Sequence, residues 1–239
     1  MFARLDSVAN GWLTLLLIVW ALLLFGGFAF GKLNAEKTRR MPTWTRMASS
    51  VALVAAGWSW LAAAAPVGSA ALLIAVGMTL GLVGDLFMAR KNVIGGIGAF
   101  GLGHIAYISA LLLYTSAAGL NDSGLRLGAW VAWLVIGVVA WYITVYRGQE
   151  HRVLHWAALA YCLLLSSTAG AATGLALQQA AFIPLALGAA LFLFSDLLIT
   201  VQLFMQRSFY LIDDVIWLTY GPAQALIVYS VYAASAVLS

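Results

Sequence analysis

The stretch Gly77-Met78-Thr79-Leu80-Gly81-Leu82-Val83-Gly84-Asp85-Leu86-Phe87 places a carboxylate near the end of an otherwise apolar run. A charged side chain at mid-bilayer costs about 2.5–3.5 kcal/mol on insertion scales, so an aspartate in such a run needs a reason. The same pattern returns in Gly188-Ala189-Ala190-Leu191-Phe192-Leu193-Phe194-Ser195-Asp196-Leu197. Each copy has glycine eight residues before the aspartate, a small residue just before it and leucine just after. Two buried carboxylates in matching settings organise the reading of the rest of the chain.

Of the 239 residues, 64% are hydrophobic and 8% charged, with mean hydropathy +0.99. Average soluble domains carry about 25% charged residues, so the class is a polytopic helical membrane protein. A transmembrane barrel would alternate over segments of about ten residues; here the apolar runs are about twice as long. The first run, from Trp12 to Phe30, is too long for a signal-peptide core and has no small-residue cleavage site, so it reads as a retained span. The one cysteine, Cys162, lies within an apolar run, which excludes an internal disulfide and reads as a buried thiol. The net charge of +4 does not point to nucleic acid, because the basic residues sit between spans.

Eight spans are predicted, at about 11–31, 45–65, 69–89, 93–115, 126–146, 152–175, 181–204 and 211–237. The chain is expected to form an all-α single membrane domain over 1–239, with two parallel four-helix pseudo-repeats at 11–115 and 126–237. Ten basic residues (Lys32, Lys37, Arg39, Arg40, Arg46, Arg90, Lys91, Arg147, Arg152 and Arg207) fall in connections on one side, and only Arg4 and Arg126 on the other. The positive-inside rule then puts both termini outside the cytoplasm, in the inner membrane if the cell is bacterial. Trp12, Trp44, Trp130 and Trp156 fall near span ends, as interfacial anchors do.

With that topology, several polar side chains share a depth in the cytoplasmic half. Asp85 lies roughly 8 Å from the cytoplasmic end, Asp196 roughly 12–16 Å, His104 roughly 15 Å, and Tyr220 and Gln224 roughly 9 and 15 Å. Such residues normally face a bundle interior or a wet cavity. Gly77, Gly81 and Asp85 form one stripe of the third span, and small residues at that spacing let helices approach closely. His104 follows a glycine-rich opening of the fourth span, with Tyr107 one turn on. Pro222 removes one ladder hydrogen bond from the last span, so a kink is expected beside Tyr220 and Gln224. Each residue also has a structural reading. The aspartates and His104 serve as interhelical hydrogen-bonding groups, and Tyr107 and Tyr220 as packing residues. Asp213 and Asp214 favour the N-terminus of the last helix. His151 and His155 read as interfacial, and Glu36, Glu150 and Asp122 as loop charges. No three-histidine zinc site, Gly-x-Ser-x-Gly nucleophile or Walker loop can be assembled.

Gly84-Asp85-Leu86, Phe100-Gly101-Leu102-Gly103-His104-Ile105-Ala106-Tyr107, Ser195-Asp196 and Tyr220-Gly221-Pro222-Ala223-Gln224 resemble the YhhN-like lysoplasmalogenase family of integral membrane proteins. The similarity runs over nearly the whole chain, with Gly221-Pro222 as a local departure. The resemblance implies hydrolysis of the vinyl ether bond of lysoplasmalogens, releasing a fatty aldehyde and a glycerophospho-alcohol. It also implies Asp85 and Asp196 as the catalytic pair. Vinyl ethers hydrolyse by protonation of the β-carbon and capture of the oxocarbenium ion by water, which suits one carboxylic acid and one carboxylate. His104, Tyr107, Tyr220 and Gln224 would orient water or headgroup, with the phosphate near Arg39, Arg40 or Arg90. No cofactor and no metal is implied. The expected partners are a lysophospholipid in the bilayer and surrounding lipids, with no nucleic acid. Two other classes fit the same residues: a proton-coupled carrier and a non-catalytic lipid-binding protein. A carrier needs polar groups on both sides, and here they cluster in one half, which favours a one-sided lipid pocket.

Overall fold

The computed structural model describes residues 5–63, 67–147 and 153–238. The expectations for Arg4, Glu150, His151 and Arg152 therefore lie outside the described residues. Eight long α-helices follow in order: α1 (Ser7–Phe30), α2 (Thr43–Ala63), α3 (Gly68–Ala89), α4 (Val93–Ala117), α5 (Ser123–Trp141), α6 (Val153–Gln178), α7 (Ile183–Leu203) and α8 (Ile212–Leu238). A π-helical turn, Tyr142–Tyr146, extends α5, and a short 3₁₀ turn, Ala180–Phe182, leads into α7. No strand occurs among the described residues. The helix bounds match the apolar runs to within a few residues.

Seven of the eight helices are long and apolar enough to cross a membrane; α2 falls short. The reason is visible in its sequence, where Thr43, Thr45, Arg46, Ser49, Ser50 and Ser59 dilute the apolar residues. Where the helices face outward they present hydrocarbon, as with Leu15, Ile18, Leu22 and Phe25 on α1 and Val131, Val135 and Val139 on α5. An apolar exterior of that extent is stable only against lipid. The protein is an integral membrane protein.

Local signals set several helix ends. Asp6, Asn92 and Asp122 cap α1, α4 and α5, each side-chain oxygen accepting from a backbone N–H three residues on at 2.8–2.9 Å. Asp122 is thus a capping residue rather than a free loop charge. His155, expected at the interface, is buried: its ring packs edge-on to Phe204 at 5.2 Å, and its carbonyl accepts from Trp141 Nε1. The ring of an amphipathic side chain goes inside here because α5 and α7 close over the first turn of α6.

Five helices form a closed ring in the order α3, α4, α6, α7, α8 and back to α3. Helices α1 and α2 pack outside it along α3 and α8, and α5 outside it along α6. Glycines allow close contacts in the ring. Gly103 of α4 lies against the Gly77 carbonyl of α3, and the Phe100 ring fills the space above Gly84. α8 runs through Pro222 as one continuous helix. The consequence for the site is that α3 and α7 are not neighbours in the ring: α8 lies between them on one side, and α4 and α6 on the other.

Candidate active site

Asp85 and Asp196 stand on those two helices. Both are buried, 4% and 9% exposed, and both line one cavity of about 470 Å³ at the end of the ring that carries the basic connections. A volume of that size accommodates a small molecule or a lipid headgroup. Phe100, Met88, Trp217 and Ile216 supply apolar wall, while Arg39, Arg46 and Lys91 supply cationic rim.

Each carboxylate has its own set of donors. Ser50 Oγ of α2 donates to Asp85 at 2.6 Å, and the Tyr220 hydroxyl lies against the same carboxylate as a hydrogen-bond partner. Behind Tyr220 runs a short polar chain. Gln224 Nε2 donates to the Tyr220 hydroxyl at 2.6 Å, and the Tyr107 hydroxyl donates to Gln224 Oε1 at 3.1 Å. The chain exists because Tyr220 and Gln224 are one turn apart on α8, and glycines 77 and 81 leave room for it on α3. Asp196 accepts from the Tyr161 hydroxyl of α6. Its neighbour Ser195 reaches it only at 3.4 Å and gives its hydrogen to Phe192 O at 2.8 Å.

The sequence-predicted residues separate into three groups. Asp85, Asp196, Tyr220 and Arg39 line the cavity. Tyr107 and Gln224 stand one step behind it and position Tyr220. His104 and Arg40 do neither. His104 is buried between Phe192, Tyr107 and Tyr161, and its Nδ1 lies 2.9 Å from Thr168 Oγ1. Thr168 gives its own hydrogen to Leu164 O, so Nδ1 is the donor there. Arg40 turns back to the end of α1, where it donates to the carbonyls of Gly31 and Ala29 and lies over Phe28. Free carbonyls at a helix C-terminus attract a cation. Arg90 ends α3 on the exposed surface, and its neighbour Lys91 reaches the rim instead.

Residues that the sequence did not single out complete the site. Ser50 and Tyr161 looked like ordinary interior residues of apolar runs, and only the ring brings them to the aspartates. Arg46 read as a connection residue reporting topology. It stands in the first turn of α2, its guanidinium 5.3 Å over the Trp217 ring, one nitrogen donating to Thr43 Oγ1 at 3.1 Å. Its Nε is buried and has no hydrogen-bond partner among the described residues. A buried guanidinium donor without a partner, at the rim of a cavity, suits an incoming anionic oxygen. Asp213 and Asp214 do stand in the first turn of α8, but they also hold the connection before α2. Asp214, fully buried, accepts from the backbone N–H groups of Arg40 and Met41 at 2.5 and 3.0 Å, and Asp213 accepts from Thr38 Oγ1 and Gln202 Nε2 at 2.8 Å each. The basic connection is therefore strapped to α8 beside the cavity mouth, which is what delivers Arg39 to the rim.

A bundle of apolar helices around two donor-supplied carboxylates defines a polytopic membrane protein with a one-ended polar chamber. Compared with known protein families, the chain matches the YhhN family over residues 41–231, and it belongs to that family. That span includes α2 to α8 up to Val231 and so every residue of the cavity except Arg39. No curated protein matches the chain, and no solved structure does.

Proposed function

We propose that this protein is a membrane hydrolase that cleaves the vinyl ether bond of lysoplasmalogen-type lysophospholipids, releasing a fatty aldehyde and a glycerophospho-alcohol. Asp85 and Asp196 act as its acid–base pair. The observation that carries this reading is that two carboxylates from non-adjacent helices line one cavity whose rim bears Arg39, Arg46 and Lys91. A vinyl ether needs a proton donor and a base for water, and two carboxylates on one cavity provide both. The phosphate sits at the cationic rim, with Arg46 Nε as one of its donors. Tyr220, held by Gln224 and Tyr107, fixes the Asp85 carboxylate. Membership of the YhhN family supports the same activity. In this reading α2 spans the bilayer with the other seven helices, its polar face turned to Asp85 through Ser50, and the basic connections face the cytoplasm.

The test is aldehyde release from a lysoplasmalogen by purified protein in detergent, beside the Asp85→Asn and Asp196→Asn variants. Loss of one partner of an acid–base pair costs about 10²–10⁴-fold in rate, and we expect both variants to fall in that range while remaining monodisperse. Full activity in either folded variant rejects the pair. No aldehyde from well-folded wild type, across several headgroups, rejects the hydrolase and directs attention to a flux assay in liposomes.

A further inference from the structure

A second space borders Asp196. A narrow apolar crevice of about 60 Å³ leaves the ring on its α4–α6–α7 side and reaches the π-helical turn at the end of α5. Met88, Phe100, Asp196, Ile199 and Leu203 line both this crevice and the polar chamber, whereas Asp85 lines the chamber alone. The far end of the crevice is a small apolar cluster of Trp141, Val145, Ala158, Cys162 and Phe204. The few hydroxyls in its wall are already engaged: Thr144 Oγ1 donates to Ala140 O at 2.8 Å and accepts from Thr200 Oγ1, which also reaches Leu197 O at 2.8 Å. The crevice thus offers hydrocarbon to whatever enters it. A π-helical turn closes its hydrogen bonds one residue further along the chain than an α-helix does and is found disproportionately at functional sites. Here it carries Thr144 and Val145 into the crevice wall.

We propose that the alkenyl chain of the substrate lodges in this crevice, which makes Asp196 the proton donor to the vinyl ether and Asp85 the base for water. The inference rests on the hydrolase reading above. In a 1-alkenyl lipid the ether oxygen lies on the glycerol side and the β-carbon on the chain side. With the phosphate at the cationic rim and the chain in the crevice, the β-carbon passes the one carboxylate that lines both spaces. The ether-bearing carbon then faces the chamber, where water and Asp85 are.

The steps balance. The carbon–carbon π pair takes the proton of Asp196 at the β-carbon, leaving an oxocarbenium ion on the ether-bearing carbon. Water adds to that carbon and passes one proton to Asp85, giving a hemiacetal. The hemiacetal hydroxyl then returns its proton to Asp196 as the carbon–oxygen bond to glycerol breaks, and the glycerol oxygen takes the proton from Asp85. One water is consumed, an aldehyde and an alcohol leave, and both carboxyls are restored.

Two measurements on the full-length protein test this. The first compares kcat/KM for 1-alkenyl lysophospholipids of short and long chain in wild type and in Ala158→Phe, which fills the far end of the crevice. The long-to-short ratio is expected to fall roughly tenfold or more, the scale at which apolar pockets discriminate chain length. The milder Ala158→Val, expected to shift the ratio in the same direction, serves if the phenylalanine variant does not fold. An unchanged ratio in the folded variants overturns the crevice assignment while leaving the hydrolase intact; absence of aldehyde from wild type removes both. The second measurement follows vinyl ether consumption by Asp85→Ala and Asp196→Ala in imidazole buffer of rising concentration. Protonation of the β-carbon is the slow step of vinyl ether hydrolysis, so imidazolium as an added general acid is expected to raise the rate of Asp196→Ala by roughly tenfold or more and not that of Asp85→Ala. Rescue of Asp85→Ala instead, or of neither, overturns the division of roles.

Discussion

At Gly81 the space for one methyl group decides whether the polar chain behind Asp85 can form. A Cβ there would lie 2.8 Å from Gln224 Nε2 and 3.6 Å from the Tyr220 hydroxyl. The amide end of a glutamine can swing away, so Gly81→Ala is expected to fold but to lose the bond from Gln224 to Tyr220. Misplacing a positioning group in this way costs about ten- to a hundredfold in kcat/KM, measured on aldehyde release. At Gly77 the same methyl would lie 2.3 Å from the Tyr107 ring, which is fully buried and cannot yield. Gly77→Ala is therefore expected to destabilise the fold by about 1–3 kcal/mol, read as a fall in Tm in detergent. The stripe Gly77, Gly81, Asp85 was legible in the sequence as a helix-approach surface. What it admits, however, is mainly side chains: the Tyr107 ring and the Gln224 amide.

Between elements, the connection from Lys32 to Met41 is strongly polar and yet tightly bonded. Asn34 folds it internally, its Oδ1 accepting from the backbone of Thr38 and Arg39. Leu211 N and Asp213 N then donate to the carbonyls of Lys37 and Thr38, and Asp214 takes the two amides of Arg40 and Met41. An asparagine at 214 keeps the shape but turns one acceptor into a donor facing a backbone N–H. Leaving one buried amide without an acceptor costs about 1–3 kcal/mol. We expect Asp214→Asn to lower Tm accordingly and to open the connection to trypsin at Lys37, Arg39 and Arg40. Asp213→Asn should do less, since its partners Thr38 and Gln202 are side chains that can turn. Equal protease resistance in Asp214→Asn and wild type would show that the strap is not what orders this connection.

Over the whole molecule, α1 and α5 lie on the periphery with their outward faces apolar, and the polar groups gather inside a five-helix ring. Two kinds of position report the orientation that the basic residues imply. In a Cys162→Ser background, a single cysteine at Lys37 should react with a membrane-impermeant thiol reagent only from the cytoplasmic face, and one at Asn121 only from the opposite face. Both side chains are exposed in connections at opposite ends of the bundle. Labelling of Lys37→Cys from outside intact cells would invert the topology and place the cavity mouth on the other side.

Hydrophobic run length, capping residues and the lysine and arginine distribution are local properties. The sequence by itself therefore determined the class, the helix bounds to a few residues, and the orientation to be expected. It also singled out Asp85 and Asp196, because a carboxylate in an apolar run is anomalous wherever the run ends up. Which residues meet those carboxylates is a matter of helix rotation and neighbour order, and periodicity in a helix buried on most sides does not report that. Only the tertiary structure set α3 and α7 as non-neighbours in a ring and brought Ser50 and Tyr161 to the aspartates. It also turned Arg40 to the end of α1 while Arg46 reached the rim, and it set His104 aside against Thr168. The packing of α5, α6 and α7 likewise left an apolar crevice beside one aspartate and not the other. No single run of residues encodes that difference, because it is made by side chains from five separate helices and one π-helical turn.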